Sequence, residues 1–135
     1  KNKMQNMLKE KGIWERTFLP GFISKDHLPA LYRGAAALVN PSWYEGFGLT
    51  AVEAAACGCP AIISDRGSHP EIMGQAALYV DPGNAQSIAE AMELVTKPAV
   101  KSDLVKQGLA QAAKYSWPKT AREVNKIYHS LKAAK

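Results

Sequence analysis

Cysteine is scarce in this chain of 135 residues: there are two, Cys57 and Cys59, separated only by Gly58. Neighbours that close do not form an unstrained disulfide, and two ligands do not make a zinc site. The pair therefore reads as reduced, buried thiols of a cytosolic protein. No apolar run approaches the roughly 18 residues of a membrane span. Charges scattered through the first twenty residues exclude a signal-peptide core. Internal repeats, low-complexity stretches and linkers are also missing. A hydrophobic content of 47% excludes intrinsic disorder, and the length suits one domain. The chain opens on Lys1 rather than Met, as expected of part of a longer protein.

Basic residues are nearly absent from the middle of the chain. Residues 36–96 hold only Arg66 against seven acidic groups, whereas residues 1–35 are +4 and residues 97–135 are +7. A nucleic-acid binder groups its basic side chains with its aromatics and loops. Here the most motif-rich stretch is acidic and the lysines fall on solvated helix faces. The balance of +5 is read as solubility and as compatible with peripheral contact at the inner membrane face, not as a nucleic-acid partner.

Helix and strand patterns alternate along the chain. Met4, Met7 and Leu8 share a helical face, and Gly12 stops that helix. A short strand is expected at residues 16–19, ending at Pro20-Gly21. Ser24 or Asp26 is placed to cap a helix through Leu28, Leu31 and Tyr32, with Pro29 in its first turn. Strands are expected at residues 36–40, 60–64 and 77–80, and a helix from about Leu49 to Cys57, stopped by Gly58 and Pro60. Ala61-Ile62-Ile63-Ser64 is apolar on both faces, the pattern of a buried parallel strand. The remainder is helical: Ile88, Met92 and Val95 share a face, as do Val105, Leu109 and Ala112. Trp117, Ala121, Val124, Tyr128 and Leu131 form a last stripe, read as core packing, with Ser116 as N-cap. The fold class is α/β, a Rossmann-like parallel sheet with helices on both faces and a helical C-terminus. In such sheets ligands bind beyond the carboxyl ends of the strands.

The loop in that position after Asn40 reads Pro41-Ser42-Trp43-Tyr44-Glu45-Gly46-Phe47-Gly48-Leu49-Thr50. Gly46 and Gly48 let the backbone approach a ligand closely. The following helix starts with unpaired N–H groups and a partial positive charge, which suits a phosphate, and Thr50 adds a hydroxyl. Glu45 and Glu53 flank this anion site, and carboxylates accept paired hydroxyl hydrogen bonds well. A nucleotide sugar has the matching layout of ribose, diphosphate and hexose. Two plainer readings stand beside it. Thr50-Ala51-Val52-Glu53 has the form of a capping box, in which Glu53 only bonds the Thr50 N–H, and Glu45 can be a solvated loop carboxylate. His69 suggests a general acid, against the plainer reading of an exposed loop histidine.

Residues 41–49, followed by Glu53-Ala54-Ala55-Ala56-Cys57-Gly58-Cys59-Pro60, resemble the Glu-x7-Glu signature of glycosyltransferase family 4, retaining enzymes of the GT-B fold. Phe18-Leu19-Pro20-Gly21, Leu31-Tyr32, Pro70-Glu71-Ile72, Ala76-Ala77-Leu78, Asp81-Pro82 and Tyr115-Ser116-Trp117 are similar to family landmarks in the same order. The resemblance implies that residues 1–135 are the later part of a C-terminal nucleotide-sugar-binding domain. Its first strands and the N-terminal acceptor domain, the partner it would work with, lie outside the match.

The implied activity is hexose transfer from a UDP- or GDP-sugar to a glycan, lipid or small-molecule acceptor, with retention and without metal or other cofactor. Glu45 would contact donor-sugar hydroxyls as the catalytic-side residue, and the Gly46, Phe47 and Gly48 backbone would touch sugar and phosphate. Leu49 and Thr50 amides would hold the diphosphate, Glu53 the ribose, and Gly21, Phe22 and Ile23 would pass near the nucleobase. The basic groups that usually complete the diphosphate clamp lie before the matched stretch, and Arg66 is not expected to replace them, so the chain alone is expected to be inactive. The competing expectation is a non-catalytic nucleotide-binding or regulatory module of the same fold.

The family's sheet has the order 3-2-1-4-5-6. The stretches at 16–19, 36–40, 60–64 and 77–80 would supply strands three to six, leaving a gap of roughly 14 Å between the first two. Another segment or a second copy, through self-association, is expected to fill it, rather than the strand at 16–19 re-pairing beside the next.

Overall fold

The computed structural model describes residues 2–133. Helix α1 (Asn2–Glu10) ends where the expected glycine stands: Gly12 takes φ +65°, and the Ile13 N–H reaches back to the Leu8 carbonyl at 3.0 Å. Helix α2 (Leu28–Gly34) carries Pro29 in its first turn, but His27 occupies the N-cap with no side-chain cap bond. Ser24 instead meets the His27 ring, its Oγ 3.3 Å from Nδ1. Neither Ser24 nor Asp26 caps this helix.

Three parallel strands form the sheet: β1 (Leu38–Asn40), β2 (Ala61–Ser64) and β3 (Leu78–Val80), in the order β1-β2-β3. Leu38 lies opposite Ala61, and Ile62 opposite Leu78. Between them run α3 (Leu49–Ala56) and the short α4 (His69–Met73). After β3 come α5 (Ala85–Leu94), α6 (Pro98–Ala112) and α7 (Trp117–Ala133).

The alternation of side chains along β2 divides the core in two. Ala61 and Ile63 face a cluster with Ala51 and Ala55 of α3, Ile72 and Met73 of α4 and Ala112 of α6. Ile62 faces the other side, with Val80, Ala91, Val95 and Leu104. Ile62 and Ile63 are fully buried, and each contributes about 1.5–3 kcal/mol by leaving water. Small residues set how closely α3 and α6 approach: a Cβ on Gly108 would stand 3.3 Å from that of Ala55. Tyr115 Oη and Gln111 Nε2 both donate to the Ile72 carbonyl, at 2.9 and 2.6 Å, and so tie α4 to the end of α6.

Four expectations are corrected. Residues 16–19 form no strand. Trp14–Arg16 is a 3₁₀ turn, and Thr17, though extended, joins no ladder. A strand needs a neighbour to bond, and no other strand reaches it among the described residues; nor does it re-pair beside β1, whose outer edge is unpaired there. The α7 stripe is not core: Trp117, Tyr128 and Leu131 are 74, 67 and 63% exposed. Helical spacing establishes an amphipathic face, not a partner for it. Met92 and Leu109 are exposed too, although Ile88, Val95 and Ala112 do pack inward as expected, joined by Ala91 and by Leu104 and Gly108. Finally, Cys57 is only half-buried, while burial of Cys59 pushes its thiol above the ordinary range.

Candidate functional site

The carboxyl ends of β1, β2 and β3 carry the loops 41–48, 65–68 and 81–84, and these loops brace one another. A Cβ on Gly83 would meet the Trp43 ring at 3.1 Å. Gly67 takes φ +60° with the Glu45 carbonyl 2.9 Å from where its Cβ would stand. Ser68 donates to that same carbonyl from its N–H at 3.4 Å and its Oγ at 3.1 Å. The backbone of Glu45 is thereby fixed by a segment more than twenty residues away.

Helix α3 starts at Leu49, where the sequence places it. Gly48 is its N-cap, in the left-handed conformation at φ +86°, and supplies no side-chain cap. The first bond of the helix runs from the Ala51 N–H to the Gly48 carbonyl at 3.0 Å. The Leu49 and Thr50 N–H groups therefore donate to no protein acceptor among the described residues. At α5, by contrast, the Asn84 side chain caps the Gln86 and Ser87 N–H groups. This geometry removes the capping-box reading. Thr50 is the second helical residue, and Glu53 stands too far along α3 to reach back to a cap. Glu53 is exposed and makes no side-chain hydrogen bond among the described residues.

Glu45 is not simply solvated. It is half-buried, and its Oε1 accepts from Asn40 Nδ2 at 3.3 Å and lies 3.1 Å from Ser42 Oγ. Asn40 Nδ2 also donates to Thr50 Oγ1 at 3.3 Å, joining the two ends of the glycine loop. Asn40, Ser42 and Ser68 were not singled out as site residues by sequence. Asn40 closes a strand, and nothing local shows that the loop folds back onto it.

His69 is likewise not a loop histidine. It begins α4, is fully buried, and has Nδ1 3.0 Å from Ser64 Oγ. Its Nε2 is buried without a partner among the described residues, and its ring packs under Gly48, where a Cβ would come within 2.8 Å of Cδ2. Arg66 is engaged by Asp65 at 3.0 Å and Asp81 at 3.5 Å.

The structure brings Glu45, Gly46, Gly48, Leu49 and Thr50 into one loop and helix start. Glu53 is one turn further along α3, facing α2: burial first, and then the Glu53 charge, hold the Tyr32 phenol above its usual range. A groove of about 440 Å³ lies along the same face of α3, lined by Leu49, Val52 and Glu53 and by Tyr115 and Trp117, but not by Glu45. Phe47 points into it, edge-on to Tyr115 at 5.6 Å. Gly21, Phe22 and Ile23 lie in an irregular segment, with Phe22 94% exposed. No hydrogen bond joins them to the glycine loop among the described residues. Among those residues, too, no cluster of His, Cys, Asp and Glu could hold a metal ion, and no helix is long and apolar enough to cross a membrane.

Residues 1–111 match the family model "Glycosyl transferases group 1". The O-antigen chain mannosyltransferase B of Escherichia coli is 36% identical over 112 residues, 82% of this chain and 29% of that enzyme. The D-inositol 3-phosphate glycosyltransferase of Corynebacterium jeikeium is 33% identical over 81% of this chain and 27% of its own. The chain thus spans under a third of these relatives. Among solved structures, sucrose-phosphate synthase from Thermosynechococcus elongatus superposes with a TM-score of 0.91 at 30% identity, over 99% of this chain and 35% of the other. The C-terminal domain of a glycosyl transferase group 1 protein from Francisella tularensis gives 0.73 at 27% identity, covering 84% of this chain and 60% of that one. The Anabaena HepE structure, solved with UDP-glucose, shares the fold, with a TM-score of 0.87 at 19% identity over 96% of this chain and 36% of its own. The chain belongs to the glycosyl transferases group 1 family and has the fold of a GT-B C-terminal domain.

Proposed function

We propose that this chain is the donor-binding part of a retaining glycosyltransferase that moves a hexose from a nucleotide-diphosphate sugar to an acceptor. The observation that carries the reading is the start of α3, where two N–H groups have no protein acceptor among the described residues and Asn40 bonds both Glu45 and Thr50. The Leu49 and Thr50 N–H groups take the diphosphate, with the helix dipole behind them. Donors fixed in place before the reaction stabilise charge as it develops on the leaving group. Glu45 accepts from hexose hydroxyls and Glu53 from the ribose, while the Gly46–Gly48 backbone lies against sugar and phosphate. Gly21, Phe22 and Ile23 approach the nucleobase. The relatives named as mannosyltransferases of O-antigen and as sucrose-phosphate synthase favour GDP-mannose and UDP-glucose as the donors to try first, and a glycan among the acceptors.

Two substitutions that keep shape and remove charge test the roles. Glu45→Gln and Glu53→Gln are each expected to weaken donor binding by about 1–3 kcal/mol, the scale of a hydrogen bond to a charged group. Glu53→Gln should leave thermal stability within about 0.5 kcal/mol, because the side chain is exposed and makes no bond. Calorimetric titration with UDP-glucose and GDP-mannose, alongside thermal melts, reads both quantities. A fall in melting temperature with unchanged affinity would count against the assignment.

A further inference from the structure

We propose that Asn40 is a positioning residue that sets the hydrogen-bond polarity of the donor site; the proposal rests on the donor-binding reading above. An amide has two N–H donors and one carbonyl acceptor, and here all are engaged. Asn40 Nδ2 donates to Glu45 Oε1 and to Thr50 Oγ1, each at 3.3 Å, while Ser42 Oγ stands 2.6 Å from Oδ1. The orientation is dictated by chemistry. With the amide flipped, Oδ1 would face the Glu45 carboxylate, acceptor against acceptor, and Nδ2 could not receive the Ser42 proton.

This arrangement fixes what the two flanking residues can do. Because Nδ2 can only donate, Thr50 Oγ1 must accept from it. The Thr50 hydroxyl proton is then directed elsewhere, and it meets no protein acceptor among the described residues. Thr50 is thus presented as a donor, as a phosphate oxygen requires. Glu45 has Oε1 occupied by Asn40 Nδ2, the single Ser42 proton going to Asn40 Oδ1 at the shorter distance, and Oε2 makes no hydrogen bond among the described residues. That oxygen is presented as an acceptor, as a sugar hydroxyl requires. One amide at the end of β1 therefore orients a donor toward the anion and an acceptor toward the hexose. An aspartate at this position has the same shape and the opposite polarity. It would draw in the Thr50 proton and repel the Glu45 carboxylate.

The test is a double-substitution cycle with Asn40→Asp and Thr50→Val, measured by calorimetric titration with UDP-glucose and GDP-mannose and by thermal melts. Asn40→Asp is expected to weaken donor binding at least tenfold. In the Thr50→Val background, where no hydroxyl proton is left to misdirect, the same change should cost at least threefold less, because the two residues act through one bond. A residue that only holds the loop would give equal losses in both backgrounds, following the loss of melting temperature, and that result overturns the proposal. So does affinity within twofold of the unsubstituted chain. Should Asn40→Asp not fold, Ser42→Ala carries the test. It releases the amide to rotate and is expected to weaken binding about threefold, whereas unchanged affinity in the folded variant overturns the proposal. If the unsubstituted chain binds neither sugar nucleotide, the donor-binding reading itself fails, an outcome distinct from the others.

Discussion

Gly48→Ala is expected to lower the stability of this chain by about 3 kcal/mol, while Gly46→Ala, two residues away in the same motif, should change it by no more than about 0.5 kcal/mol. Gly48 holds φ +86°, in the left-handed region that costs an L-residue roughly 1–2 kcal/mol. Its Cβ would also stand 2.8 Å from His69 Cδ2. The ring has no room to withdraw, since it is fully buried with Nδ1 against Ser64. Forcing a methyl group into a packed interior adds about 1–3 kcal/mol. Gly46 has nothing within 4 Å of its Cβ position and no positive φ. Urea denaturation of the two variants separates them. Equal losses would mean that the contact between His69 and Gly48 does not shape the loop.

Gly67→Ala is expected to act on Glu45 from a distance. Gly67 holds φ +60°, and its Cβ would meet the Glu45 carbonyl oxygen at 2.9 Å and its nitrogen at 3.0 Å. These are backbone atoms, so no side chain can swing aside. The Glu45 backbone must shift, and with it the two bonds from Ser68 to the Glu45 carbonyl. The combined conformational and steric cost is about 2–4 kcal/mol. Because the displaced residue carries the carboxylate assigned to the hexose, donor affinity should fall as well, by at least tenfold. A folded Gly67→Ala protein with full donor affinity would remove Glu45 from the site.

Much of the fold was legible because it rests on local pattern. The strands at 36–40, 60–64 and 77–80 announced themselves by short apolar runs between turn residues, and in the fold they begin one or two residues later. Gly12 and Gly58 marked helix ends through the positive φ they supply. What escaped depends on contacts between distant segments. Residues 16–19 read as a strand from composition alone, yet a strand exists only with a neighbour. The α7 stripe showed a face without showing what covers it. His69 looked exposed because a histidine between Ser68 and Pro70 carries no sign of the Ser64 hydroxyl or of the glycine above it.

The site was legible as a motif but not in its mechanics. Glu45, the two glycines, Thr50 and Glu53 were picked out by residue type and spacing. The cap of α3 was not, because Thr50-Ala51-Val52-Glu53 has the form of a capping box while a left-handed Gly48 takes the N-cap position. That one difference frees Glu53 from a capping role. Asn40 was invisible for a related reason: its importance arises only when the loop turns back and brings Glu45 and Thr50 to opposite protons of one amide.

Whether the start of α3 receives the diphosphate of a sugar nucleotide is decided by following backbone amide NMR signals during titration with UDP-glucose and with GDP-mannose. At least one of the two is expected to move the Gly46, Gly48, Leu49 and Thr50 amides most, with saturable shifts that Glu45→Gln weakens. Saturable shifts confined to the groove beside Tyr115 and Trp117, or to the lysine-bearing faces of α6 and α7, with the Gly48–Thr50 amides unmoved, would contradict it.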